Sequence, residues 1–77
     1  MEGHIFHYDK KVFHDQGLDA LIEKGIHDYV QKTGVKPTFA YYSKRQGTPL
    51  RDWKGLDEVD TKGVIWIFND EVYVGVE

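Results

Sequence analysis

Residues 18–32, LDALIEKGIHDYVQK, decide the fold. Apolar side chains fall at Leu18, Leu21, Ile22, Ile26, Tyr29 and Val30, the i, i+3, i+4, i+7 spacing that gathers them on one stripe of a 3.6-residue helix. A stripe of that kind has to be buried against another element, and the remaining apolar residues lie in short alternating runs before and after it. The pattern predicts one helix resting on one small sheet. Asp15 is the expected N-cap, and Asp19 suits the positive end of the helix dipole. Gly34 is placed as the residue just beyond the helix, with Pro37 following as a stop. Gly25 falls on the apolar stripe, where it costs about 1 kcal/mol relative to alanine, and close approach of helix to sheet would account for it.

Before the helix, His4 to Tyr8 and Val12 to His14 read as two short strands joined by a polar turn at Asp9, Lys10 and Lys11. After it, Thr38 to Ser43 reads as a strand rich in Phe39, Tyr41 and Tyr42. Val64 to Phe68 and Val72 to Val76 are expected to form a last hairpin closed at Asn69 and Asp70. That pairing places Ile65, Ile67, Val72 and Val74 on one face and Val64, Trp66, Phe68, Tyr73 and Gly75 on the other. The stretch from Lys44 to Gly63 is too long to be structureless in so small a domain, and it predicts a short helix from Pro49 to Lys54 capped by Thr48 and ended by Gly55. The expected fold is α+β: a two-layer sandwich with one main helix packed on a small, mainly antiparallel sheet of four or five strands, in the order β-β-α-β-β-β.

A chain of 77 residues suits a single domain, 40% hydrophobic and 30% charged, well outside the composition of disordered chains. With no cysteine there is neither a disulfide framework nor a thiolate site, which makes a reducing, cytoplasmic setting the default expectation. The longest apolar run, Val64 to Phe68, falls far short of the roughly 20 residues of a membrane helix, so no membrane partner is expected. A net charge of -3 argues against strong nonspecific attraction to nucleic acid. The charge is unevenly spread: Lys32, Lys36, Lys44, Arg45 and Arg51 fall in an acid-free middle, whereas seven acids against two lysines follow from residue 52 onward.

The sheet supplies the functional expectation. One main helix covers one face, which leaves Trp66, Phe68 and Tyr73 on the other, and a large aromatic patch is a common interaction surface. Three outcomes are open: the segment holding Leu50, Trp53, Leu56 and Val59 folds over the patch, a second copy buries it, or a different partner binds it. The leading functional expectation is a small non-enzymatic protein-interaction module, self-associating or binding another protein. Trp66, Phe68 and Tyr73 are its anchors, and Trp53, Arg45 and Arg51 its rim. The alternative is a single-stranded nucleic-acid binder using Tyr41 and Tyr42 with Lys44, Arg45 and Arg51. A third reading, metal binding or catalysis, rests on His4, His7, His14 and His27. Of these only His7 and His14 converge, and no cofactor or catalytic residue is assigned.

Gly63-Val64-Ile65 and Tyr73-Val74-Gly75 resemble the paired tripeptides that open the GIY-YIG nuclease domain, itself a β-hairpin there. The likeness spans residues 63–75 with a shorter intervening segment, and it brings no site residue with it.

Overall fold

The computed structural model describes residues 2–9 and 17–77. The elements run β1 (Glu2–His7), α1 (Gly17–Thr33), β2 (Phe39–Ser43), a 3-10 turn (Lys44–Gln46), α2 (Trp53–Asp57), β3 (Asp60–Val64) and β4 (Glu71–Val76). The expected strand Val12 to His14 and the expected cap Asp15 lie outside the described residues.

Helix α1 forms where the apolar stripe predicts it, and Leu21, Ile22 and Tyr29 are buried on it. Each such side chain contributes roughly 1.5 to 3 kcal/mol relative to an exposed one. The helix stops at Gly34, whose φ of 72° is one that side-chain-bearing residues rarely adopt, and the Gly34 amide donates back to the Val30 carbonyl at 2.7 Å. The stripe rests on Ala40 and Tyr42 of β2 and on Val72 and Val74 of β4. Gly25 is what lets α1 lie so low, because a Cβ there would collide with the Val72 side chain and come within 3.2 Å of Val74.

The sheet order is β1-β4-β2-β3. β4 pairs antiparallel with both β1 and β2, whereas β2 and β3 are parallel, so the sheet is mixed with two antiparallel pairings out of three. The expected hairpin from Val64 to Val76 is therefore corrected. Residues 65–68 are not a strand, and β4 is separated from β3 by β2. Of that hairpin the strand Val72 to Val76 survives as β4, and so does the turn, with the Glu71 amide donating to the Phe68 carbonyl at 3.0 Å. For the same reason the two tripeptides that resemble the GIY-YIG pair do not sit on neighbouring strands.

The strand that takes the outer place is Asp60-Thr61-Lys62-Gly63-Val64, too polar to show hydrophobic alternation. An edge strand tolerates such a sequence because its pairing is by backbone, and charge on an edge discourages pairing with other chains. Pairing begins where the Asp60 amide donates to the Thr38 carbonyl at 2.9 Å. A parallel neighbour requires a crossover of a dozen or more residues, and residues 44–59 supply it.

The short helix is also displaced, from the expected 49–54 to Trp53–Asp57. The cap is Asp52 rather than Thr48, its carboxylate accepting from the Gly55 amide at 3.0 Å. The Leu50 and Arg51 amides, which an earlier start would have placed in the helix, instead donate to the Asp19 carboxylate at 2.8 and 3.0 Å. Glu58 then turns the chain into β3 with a φ of 57°. Among the described residues no helix is long and apolar enough to cross a membrane.

Candidate functional site

Alternation along the strands sorts the side chains cleanly. Val72 and Val74 face α1, so Tyr73 faces away, and its register partners Ile5 on β1 and Tyr41 on β2 face away with it. Lys62 of β3 is the partner of Tyr41, so Ile5, Tyr73, Tyr41 and Lys62 form one row across all four strands.

Glycine makes this face flat enough for rings to lie along it. Gly3 and Gly75 are paired on β1 and β4. A Cβ on Gly75 would meet the Phe39 ring at 2.7 Å, and one on Gly3 would meet the Tyr73 ring at 2.9 Å. Phe39 lies over that floor and is fully buried although it points away from the helix. Its centroid is 4.8 Å from that of Tyr41 and 5.4 Å from that of Tyr73, and Trp66 meets Tyr73 edge-on at 5.5 Å. The four rings form one continuous layer in the tilted geometries that aromatic pairs prefer. Trp66 is 57% exposed and Ile5 53%, so the layer is open to solvent at its upper surface and at its β1 side.

Of the expected anchors, Trp66 and Tyr73 are thus brought together, although no hairpin joins them. Phe68 is exposed, but it lines a cleft at the end of the sheet together with Arg45. Trp53 and Arg51 sit on the helix side. Trp53 is buried in the main core and its indole Nε1 donates to Asp19 at 2.8 Å. The Arg51 guanidinium lies 5.1 Å from the centre of the Trp53 ring and donates to Asp57 at 2.9 Å. The segment expected to cover the aromatic face does not do so, since Trp53 and Val59 join the core beneath α1 while Leu50 and Leu56 are exposed. Tyr42 is turned into that core as well, so that of the expected nucleic-acid set Tyr41, Tyr42, Lys44, Arg45 and Arg51, Tyr41 lies on the aromatic face, Arg45 on the cleft, and Tyr42 and Arg51 on the helix side.

The electrostatics of the two layers differ. Burial pushes the Asp19 carboxyl up, but the Leu50 and Arg51 amides, the Trp53 indole and the Arg51 charge outweigh it and hold Asp19 below the usual carboxylate range. Asp19 is therefore a structural clasp between α1 and the crossover, a role that the three intervening decades of sequence conceal. On the other side His7 stands 3.5 Å from Glu71 and 3.6 Å from Asp70. Among the described residues no three histidines or carboxylates converge as metal ligands. His14 lies outside the described residues.

No protein-family model, curated protein or solved structure matches this chain. The functional reading rests on the geometry of the sheet.

Proposed function

We propose that this protein is a small non-enzymatic interaction module that binds protein through the aromatic face of its sheet, with a second copy of the same chain as its first partner. The observation that carries the reading is the Phe39, Tyr41, Tyr73 and Trp66 layer, ordered ring against ring while Trp66 and Ile5 remain more than half exposed. Large aromatics fixed in place lose little side-chain freedom on binding, which is why they dominate the energetics of interfaces. Four strands about 4.8 Å apart and roughly 20 Å long make a face of about 400 Å² per partner, below the range of stable interfaces. Self-association through it is accordingly weak and concentration-dependent.

Sedimentation equilibrium across a hundredfold range of concentration tests the reading. Reversible association that Trp66→Ala and Tyr73→Ala abolish, with the fold kept, supports it. Association that survives both substitutions, or a strict monomer that no protein partner engages through this face, removes it.

A second reading has one observation in its favour. Tyr41 and Tyr73 lie side by side on the central strands with centroids 6.2 Å apart, and Lys62 continues their row, an arrangement suited to stacking bases beside a phosphate. The net charge of -3 weighs against it. Titration with labelled single-stranded oligonucleotides at low salt decides, because binding of this kind weakens steeply as salt is added.

A further inference from the structure

A cleft of about 590 Å³ opens at the end of the sheet where β1, β2 and β3 finish, remote in character from the aromatic face. Its size is that of small-molecule sites, and its walls come from several connections held by one rigid sheet, the usual setting for recognition. The 3-10 turn after β2 brings Arg45 and Gln46, the turn before β4 brings Phe68 and Asp70, and the first turns of α1 bring Leu18 and Leu21.

Two features of these walls define what fits. Arg45 and Asp70 border the same space, yet among the described residues Arg45 forms no ion pair and the Asp70 carboxylate is met by His7 alone, at 3.6 Å. Opposite charges thus face a common volume without neutralising each other. The same walls carry apolar surface that includes Phe68, a large aromatic left 69% exposed. Asn69 adds direction: its side-chain carbonyl accepts from the Ser43 hydroxyl at 2.8 Å, which leaves its amide NH2 as a donor beside the cleft.

A simple anion would meet the Asp70 carboxylate here, and a simple cation would meet the Arg45 guanidinium. We propose that the cleft binds a small zwitterion with an apolar side chain, a free α-amino acid of the leucine or phenylalanine kind. Its carboxylate pairs with Arg45, its ammonium with Asp70, and its side chain covers Leu18, Leu21 and Phe68. This site is separate from the proposed protein-binding face and is tested separately.

The experiment is an amide NMR titration of the whole protein with L-phenylalanine and, in parallel, with N-acetyl-L-phenylalanine amide, which lacks both charges. The expected result is saturable shifts at Leu18, Gln46 and Asn69 with the free amino acid, no change at Tyr41 or Tyr73, and at least about tenfold weaker binding of the blocked form. Arg45→Gln, an exposed substitution, is expected to weaken L-phenylalanine by about tenfold with the remaining spectrum unchanged. The proposal is overturned if neither L-phenylalanine nor L-leucine gives saturable shifts in the cleft by ~20 mM, well above a millimolar dissociation constant. It is equally overturned if the blocked form binds as well as the free one, which would make the cleft merely apolar.

Discussion

Gly25 of the helix lies directly against Val72 of the central strand β4, with no room for a methyl group between them. The contact sets the height of α1 above the sheet. Gly25→Ala would gain about 1 kcal/mol of helix propensity, yet the added Cβ must push into the side chains of Val72 and Val74. We expect the overpacking to win, with a net loss of about 1 to 2 kcal/mol in urea unfolding. Unchanged or increased stability would mean that helix and sheet are further apart than described, and Gly25→Ala with Val72→Ala should recover part of the loss if the clash is the cause.

Asp19 accepts from two backbone amides and the Trp53 indole, and so ties the crossover to the helix. Asp19→Ala leaves these donors without their charged acceptor and is expected to cost about 1.5 to 3 kcal/mol. The pH dependence has a definite sign. A carboxyl held low in the folded state stabilises it above the unfolded value of about 3.9, and that contribution disappears as the pH falls through the lower folded value. Acid unfolding followed by circular dichroism should therefore lose its Asp19-dependent part below about pH 4. A stability difference between wild type and Asp19→Ala that stayed constant down to the acid limit would contradict the clasp.

The Tyr8 hydroxyl donates to Asp28 at 2.6 Å and links the end of β1 to α1. Burial first, and then the Asp28 carboxylate, push Tyr8 above the ordinary tyrosine range. A raised value means stability that is complete below the unfolded value of about 10 and declines as the pH rises beyond it. Ultraviolet titration of the five tyrosines should show one fewer group ionising in the Tyr8→Phe protein only after alkaline unfolding, not before it. Loss of the hydroxyl should cost about 1.5 kcal/mol at neutral pH, near the lower end for a hydrogen bond to a charged group in a half-buried site.

The two tryptophans report on opposite layers. Trp53 is buried in the helix-side core, whereas Trp66 is largely exposed on the aromatic face. In Trp66→Phe the remaining emission should be blue-shifted and shielded from iodide. In Trp53→Phe the Trp66 emission should be readily quenched when dilute and progressively shielded as protein concentration rises. Quenching of Trp66 that does not depend on concentration would count against self-association through that face.

Much of the helix side was legible because burial leaves a periodic trace. The stripe from Leu18 to Tyr29, the glycine that interrupts it and the Gly34 stop each follow from local rules and the structure agrees at all three, whereas Val30, expected on the stripe, is exposed. The aromatic face was legible in part. Strand alternation placed Trp66 with Tyr73, and their rings do meet, but through a looping segment anchored by the buried Ile67 and not through a ladder. Trp53 misled because a tryptophan in an apparently loose, polar stretch reads as rim. Its burial depends on Asp19, 34 positions earlier in the chain, which no local window contains.

By itself, the sequence determined that one amphipathic helix would lie on a small sheet, where that helix would end, and that the chain over Thr38 to Ser43 and near Val72–Val76 would be strands. Those outcomes depend on side-chain periodicity and on backbone preferences of single residues, both written locally. Only the tertiary structure decided that β3 would be Asp60–Val64, parallel to β2 and at the edge, with β4 inserted between β1 and β2. Strand partners are chosen by backbone hydrogen bonds between distant segments, and backbone groups are the same in every residue. A polar edge strand and a strand order leave no pattern in the sequence, and the open aromatic face and the charged cleft both follow from them.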